Sequence, residues 1–197
     1  MASSAPLGIT LLSELDRVLI RQKTTIFRNN KYVVMDSIGN VILYAKENSD
    51  TLNILLGGKD RPFNIDIFDT QDTKIISLRR PFTFGADKME VTVCGSLSSI
   101  VRKQMTFFKP VLHINDPSDS LMFKVKGPFA TTGECDFEIF TKDKARLGVI
   151  SKKWGGLARE IFSESDNYEI RFPREINVRY KASIIGTCFL IDFLYYE

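Results

Sequence analysis

Lys181–Glu197, KASIIGTCFLIDFLYYE, holds the longest apolar run in the chain. Between Ala182 and Tyr196 only Ser183, Gly186, Thr187 and Asp192 interrupt it, so a helix here is apolar around its whole circumference and needs burial on all sides. At ~1.5 Å per residue the run reaches roughly 22 Å, short of the ~30 Å hydrocarbon core of a bilayer. Asp192 deepens the mismatch, because a carboxylate near the bilayer centre costs about 2.5 kcal/mol or more without a partner. In a protein core it needs a partner as well. Two readings follow: a central helix wrapped by the rest of the chain, favoured by the length and by Asp192, or a short helix inserted in a membrane. In both, Ala182, Ile184, Ile185, Phe189, Leu190, Ile191, Asp192 and Phe193 are the residues concerned.

Upstream, the apolar period changes to two. Tyr32–Met35, a turn over Asp36–Asn40 and Val41–Tyr44 read as strand, turn, strand. The unit returns in Phe63–Phe68 with Lys74–Leu78, in Val111–Ile114 with Leu121–Val125, and in Asp136–Phe140 with Leu147–Ile150. Residues 89–94, 103–108 and 167–172 add further strands. Leu11, Leu12, Leu15, Val18 and Leu19, spaced by three and four, predict a short amphipathic helix over 11–23, capped by Thr10 or Ser13. So many strand edges have to be closed or covered, and a closed antiparallel barrel does this. A lumen of about ten or more strands is too wide for strand side chains to fill, and the C-terminal helix supplies the plug. The predicted class is mainly β, a closed antiparallel barrel around a central apolar C-terminal helix, with a short N-terminal helix.

The 197 residues contain no Gly/Ser/Pro-rich or strongly charged linker, which predicts a single domain over 1–197: the helix at 11–23, barrel strands within 31–175 and the apolar helix at 182–196. With 44% hydrophobic and 26% charged residues the composition is that of a soluble globular protein, and a formal net charge of +3 argues against nucleic acid as the partner. Cys94, Cys135 and Cys188 have neither metal-ligand spacing nor a disulfide framework, which fits a reducing compartment. Residues 1–10 lack the basic start and apolar core of a signal peptide, and Ala2 excludes N-myristoylation, so the expected starting location is the cytosol. His113 is the single histidine, and no glycine-rich phosphate loop or nucleophile elbow is present. These absences argue against an enzyme that breaks covalent bonds.

The C-terminal third carries more specific stretches: Gly148–Trp154, Phe162–Tyr168, Phe172-Pro173 and Ile185–Phe193. Together with Asn29–Tyr32, Arg61–Phe63, Arg80-Pro81, Gly127-Pro128 and Asp136–Ile139, they resemble the phospholipid scramblase family in the same order, over roughly residues 11–197. The resemblance implies a tubby-like fold, a twelve-stranded barrel around a central C-terminal helix. It also implies calcium-stimulated, ATP-independent movement of phospholipids between leaflets, usually at the plasma membrane, either from its cytosolic face or through a single inserted C-terminal helix, with a cytosolic pool. Anionic lipids are the expected partners, and homo-oligomers are a further expectation. A family cysteine cluster that is palmitoylated falls where this chain has Thr83–Lys88, without a cysteine.

The family's calcium segment maps onto Glu164–Glu175, with Glu164, Asp166 and Glu175 at its first, third and twelfth positions as candidate ligands for a weakly held Ca2+. Tyr168 and Glu169 stand where a helix-loop-helix site wants an oxygen side chain and a glycine. The same residues alternate as in a half-buried strand, so both readings remain. Lys142, Lys144, Arg146, Lys152, Lys153 and Arg159 make 142–159 locally basic, either a rim for anionic headgroups or a solvated edge. The rival to translocation is a peripheral tubby-like module that binds anionic phospholipid or protein.

Overall fold

A computed structural model describes residues 5–22, 30–48, 62–83, 87–128, 136–153 and 167–196. Helix α1 (Leu7–Glu14) leads into β1 (Arg17–Gln22), β2 (Asn30–Met35), β3 (Val41–Glu47), β4 (Phe63–Asp69), β5 (Lys74–Arg80) and β6 (Lys88–Val93). They are followed by β7 (Ser96–Lys103), β8 (Val111–Asn115), β9 (Leu121–Lys126), β10 (Asp136–Thr141), β11 (Arg146–Lys153), β12 (Asn167–Arg171) and helix α2 (Val178–Tyr195).

Every strand is antiparallel to its chain neighbours, and β1 closes the ring by pairing with both β2 and β12. Ile20 faces Val34 on one side and Tyr168 on the other. The period of two has its physical cause in the pleat: Phe63, Ile65 and Ile67 of β4, and Met89, Val91 and Val93 of β6, point inward and are buried.

Four of the hairpin turns share one device. In Asp36–Asn40, Asp69–Thr73, Asp116–Ser120 and Thr141–Ala145 the first residue exchanges backbone hydrogen bonds with the fourth and fifth. Its side-chain oxygen also accepts the fifth N–H, and in the three aspartate turns the third as well. The fourth residue, Gly39, Asp72, Asp119 or Lys144, has positive φ. This is the type I turn with a following left-handed residue that produces a bulge, and the register shifts beside each turn are its consequence.

Inside the barrel lies α2. Asn177 caps it by accepting from Arg179 N at 2.9 Å, and every residue from Lys181 to Leu194 is buried. Gly186 lets the helix approach the wall, since a Cβ there would lie 2.8 Å from Leu78 Cδ2. No helix among the described residues is long and apolar enough to cross a membrane. Ile184, Ile185, Phe189, Leu190, Ile191, Phe193 and Leu194 are all buried. At ~1.5–3 kcal/mol for each such side chain, exposing them to water would cost on the order of 10–20 kcal/mol, as much as the whole stability of an ordinary domain.

Three element assignments differ from the sequence reading. The helix expected over 11–23 is instead α1 at Leu7–Glu14 followed by β1, the chain becoming extended at Leu15. Val18 and Ile20, spaced by two, bury themselves as strand residues, although Val18 also fits the helical count. Neither Thr10 nor Ser13 caps α1: its N-cap position is Pro6, and Gly8 N donates to buried Asp69 Oδ2 at 3.2 Å. The strand expected at 103–108 is β7 ending at Lys103, followed by a loop. Gln104 N donates to Val111 O, and Thr106 Oγ1 donates to Lys109 O across the loop. The apolar helix begins four residues before the expected Ala182, at Val178.

Candidate functional site

The up-and-down order of the strands gives the barrel two unlike ends. One carries the β2–β3, β4–β5, β6–β7, β8–β9 and β10–β11 hairpin turns, together with α1 and the start of α2. The other carries the β5–β6 and β7–β8 connections and the C-terminal end of α2.

The hairpin end is tied shut. Lys181 Nζ donates to Ser13 O at 2.7 Å, Leu15 O at 2.6 Å, Leu12 O at 3.3 Å and Arg174 O at 2.8 Å. The ammonium thereby holds the last carbonyls of α1 against the first turn of α2. Its desolvation lowers the Lys181 pKa.

Asp192 has the partners that its burial demands. Tyr32 OH donates to one carboxylate oxygen at 2.6 Å and Tyr168 OH to the other at 2.5 Å. Tyr32 also stacks on Phe189, with centroids 4.2 Å apart. Beside this pair, burial and then the charge of Asp192 push the Cys188 thiol well above its usual pKa, which leaves it an inert core residue.

At the loop end a cavity of about 620 Å³ lies between the β5–β6 and β7–β8 connections, lined among others by Arg80, Asp87, Lys103, Met105, Phe108 and Tyr195. Arg80 is buried and grips Asp87 with two hydrogen bonds, of 2.7 and 2.9 Å, while its guanidinium lies 4.9 Å from the Phe193 ring centre. The charge at the base of the cavity is thus paired and stacked on the end of α2. Tyr195 joins the lining, its pKa pushed up to about 12 by burial and by Asp87. Thr83 and Asp87, from the segment where the family resemblance expects a cysteine cluster, line this cavity too.

The expected basic rim is not one face. Lys142, Lys144 and Arg146 are exposed at the β10–β11 turn, with Arg146 bonded to Glu138 at 3.2 Å. Lys152 and Lys153 lie at the opposite end of β11, and at ~3.3 Å per residue Lys152 is roughly 20 Å from Arg146. Lys152 is also buried, its ammonium 3.7 Å from the centre of the Tyr196 ring. Residues close in sequence were separated by the length of a strand. Arg159 lies outside the described residues.

Glu164 and Asp166 lie outside the described residues, but Asp166 immediately precedes β12, whereas Glu175 follows it near Lys181 and α1. Residues Asn167–Arg171 are extended and paired on both sides, with β1 and β11. Of the three expected calcium ligands, the described residues include Glu175 alone. Among the described residues no three His, Cys, Asp or Glu side chains gather in a metal-binding cluster.

Sequence reasoning missed Lys103, Met105, Phe107, Phe108 and the Arg80–Asp87 pair. The available signal was Phe107-Phe108 followed by Lys109-Pro110: two adjacent aromatic residues on a strand face opposite sides, and the proline ends the pairing.

A closed twelve-stranded barrel threaded by its own C-terminal helix is a tubby-like fold. The X-ray structure of a tubby-like Arabidopsis thaliana protein has the same fold, at a TM-score of 0.55 and 14% identity, covering 89% of this chain and 91% of that one. The Scramblase family model matches residues 1–197, and the chain belongs to that family. Human phospholipid scramblase 1 is 32% identical over 98% of this chain and 67% of its own length. Bovine phospholipid scramblase 2 is 31% identical, with 73% of its length covered, and human phospholipid scramblase family member 5 is 30% identical, with 79% covered.

Proposed function

We propose that this protein moves phospholipids between the leaflets of a bilayer without ATP, working from the cytosolic face of the plasma membrane as a folded barrel with α2 in place. The observation that carries this reading is the Scramblase family match over all 197 residues. ATP independence is supported by a sequence without a phosphate-binding glycine loop. Retention of α2 is supported by the cost of exposing its apolar side chains, on the order of 10–20 kcal/mol. Anionic lipids are the expected partners. Calcium stimulation rests on the family resemblance, with Glu164, Asp166 and Glu175 as the candidate carboxylates and Asp166 the one to test first.

The test uses purified protein in vesicles carrying a fluorescent lipid, with and without calcium and always without nucleotide. The proposal predicts accessibility of the dye beyond the outer-leaflet half, faster with calcium and less so in Asp166→Ala. Dye confined to the outer half, with reconstitution verified, would leave the rival reading, a peripheral module that binds lipid. A calcium response unchanged in Asp166→Ala would remove that residue from the proposal.

A further inference from the structure

The β7–β8 connection ends the barrel in an exposed apolar tip. Met105 is 95% exposed, Phe107 99% and Phe108 79%, and Phe82 on the neighbouring β5–β6 connection is 57% exposed. Such large side chains, gathered at one end of the barrel, mark an interaction site. Thr106 Oγ1 donates to Lys109 O and closes the tip as a turn, so the aromatic rings project from a shaped loop.

Charge selects the occupant. Lys103 and Lys109 flank the tip in sequence, and Lys103 is exposed. Among the described residues of the two connections the carboxylate is Asp87, which Arg80 already neutralises. Aromatic and thioether side chains at the summit, with lysines one or two residues below, match the layering of a bilayer whose apolar interior lies under anionic headgroups. A protein groove would not account for cations at that depth on both sides of the tip. Resting on the lipid-directed function proposed above, we infer that Met105, Phe107 and Phe108 insert into the interface of an anionic phospholipid bilayer, with Phe82 beside them and Lys103 and Lys109 at the headgroups. The loop end, with the C-terminus of α2, then faces the membrane. Lys142, Lys144 and Arg146, at the hairpin end, face away from it.

The experiment is sedimentation of the full chain with phosphatidylcholine vesicles, with and without phosphatidylserine. Wild type is compared with Met105→Ser/Phe107→Ser/Phe108→Ser, with Lys103→Glu/Lys109→Glu, and with Ile38→Ser. Ile38 is 82% exposed at the opposite end and serves as the control. Wild type and Ile38→Ser are expected to bind phosphatidylserine vesicles alike, and each of the other two variants at least about tenfold more weakly, a loss of roughly 1.4 kcal/mol. A single tryptophan at the tip, Phe107→Trp in a Trp154→Phe background, is expected to shift to the blue with the same vesicles. Equal binding by wild type and the serine variant overturns the tip while leaving the lipid-directed function standing. Absence of wild-type binding to any vesicle overturns both. Loss of a dimer in the serine variant, with vesicle binding unchanged, assigns the tip to a second copy of the chain and overturns the inference.

Discussion

Tyr32 on β2 and Tyr168 on β12 reach Asp192 from the two strands that flank β1, so the carboxylate on α2 is read by both sides of the barrel closure. Removing either hydroxyl leaves a buried carboxylate oxygen short of a donor. Tyr168→Phe is expected to lower the unfolding free energy by about 1–3 kcal/mol, measured by urea denaturation; an unchanged midpoint would show that the contact is dispensable. At the surface, Asp119 accepts from Arg102 and Asn115, and these bonds, the Arg102 bond first, lower its pKa to about 2. In the unfolded chain the value is ~3.9, so between these two values the unfolded state binds more protons and stability falls with falling pH. Arg102→Gln is expected to flatten the decline in melting temperature between about pH 4 and pH 2; the same slope in both proteins would contradict it. Gly148, quoted from the sequence as part of a family motif, acquires its own physical reason: a Cβ there would strike the Arg171 carbonyl oxygen across to β12.

At the scale of elements, Lys181 joins the two helices. Lys181→Met would leave the terminal carbonyls of α1 buried without their ammonium. Amide hydrogens of residues 9–15 are expected to lose protection by at least about tenfold while those of β4 and β6 stay protected. Uniform loss across the barrel would show instead that α1 and the barrel open together. Most strands were legible because inward and outward residues alternate, and the turns because Asp, Gly and Asn recur at fixed offsets. β1 was hidden, because Val18 and Leu19 continue the helical count from Leu15, and one of its two partner strands, β12, is remote in sequence. Residues 103–108 read as strand because Phe107 and Phe108 carry strand propensity; their exposure follows from where pairing ends, at Lys103. The basic cluster failed as a site for a geometric reason: Arg146 and Lys152, six positions apart, are neighbours on paper and lie toward opposite ends of a strand.

For the whole molecule, the polar and charged residues that decide its architecture lie at the two ends of α2: Lys181 clamps the first turn, while at the last turn Asp192 is held by Tyr32 and Tyr168 and Arg80 stacks on Phe193. A helix anchored at both ends belongs to the core, and bilayer contact falls to the loop end. Ser99 on β7 and Ser183 on α2, with hydroxyl oxygens 2.7 Å apart, allow this to be tested by pinning the helix to the wall. The measurement is phospholipid translocation by Ser99→Cys/Ser183→Cys in vesicles, followed by albumin back-extraction of a fluorescent lipid, with the cross-link oxidised and then reduced. Equal rates in the two states are predicted, since α2 stays in the barrel throughout. Translocation that stops on oxidation and returns on reduction would mean that the helix has to leave the barrel to work, and would contradict the account.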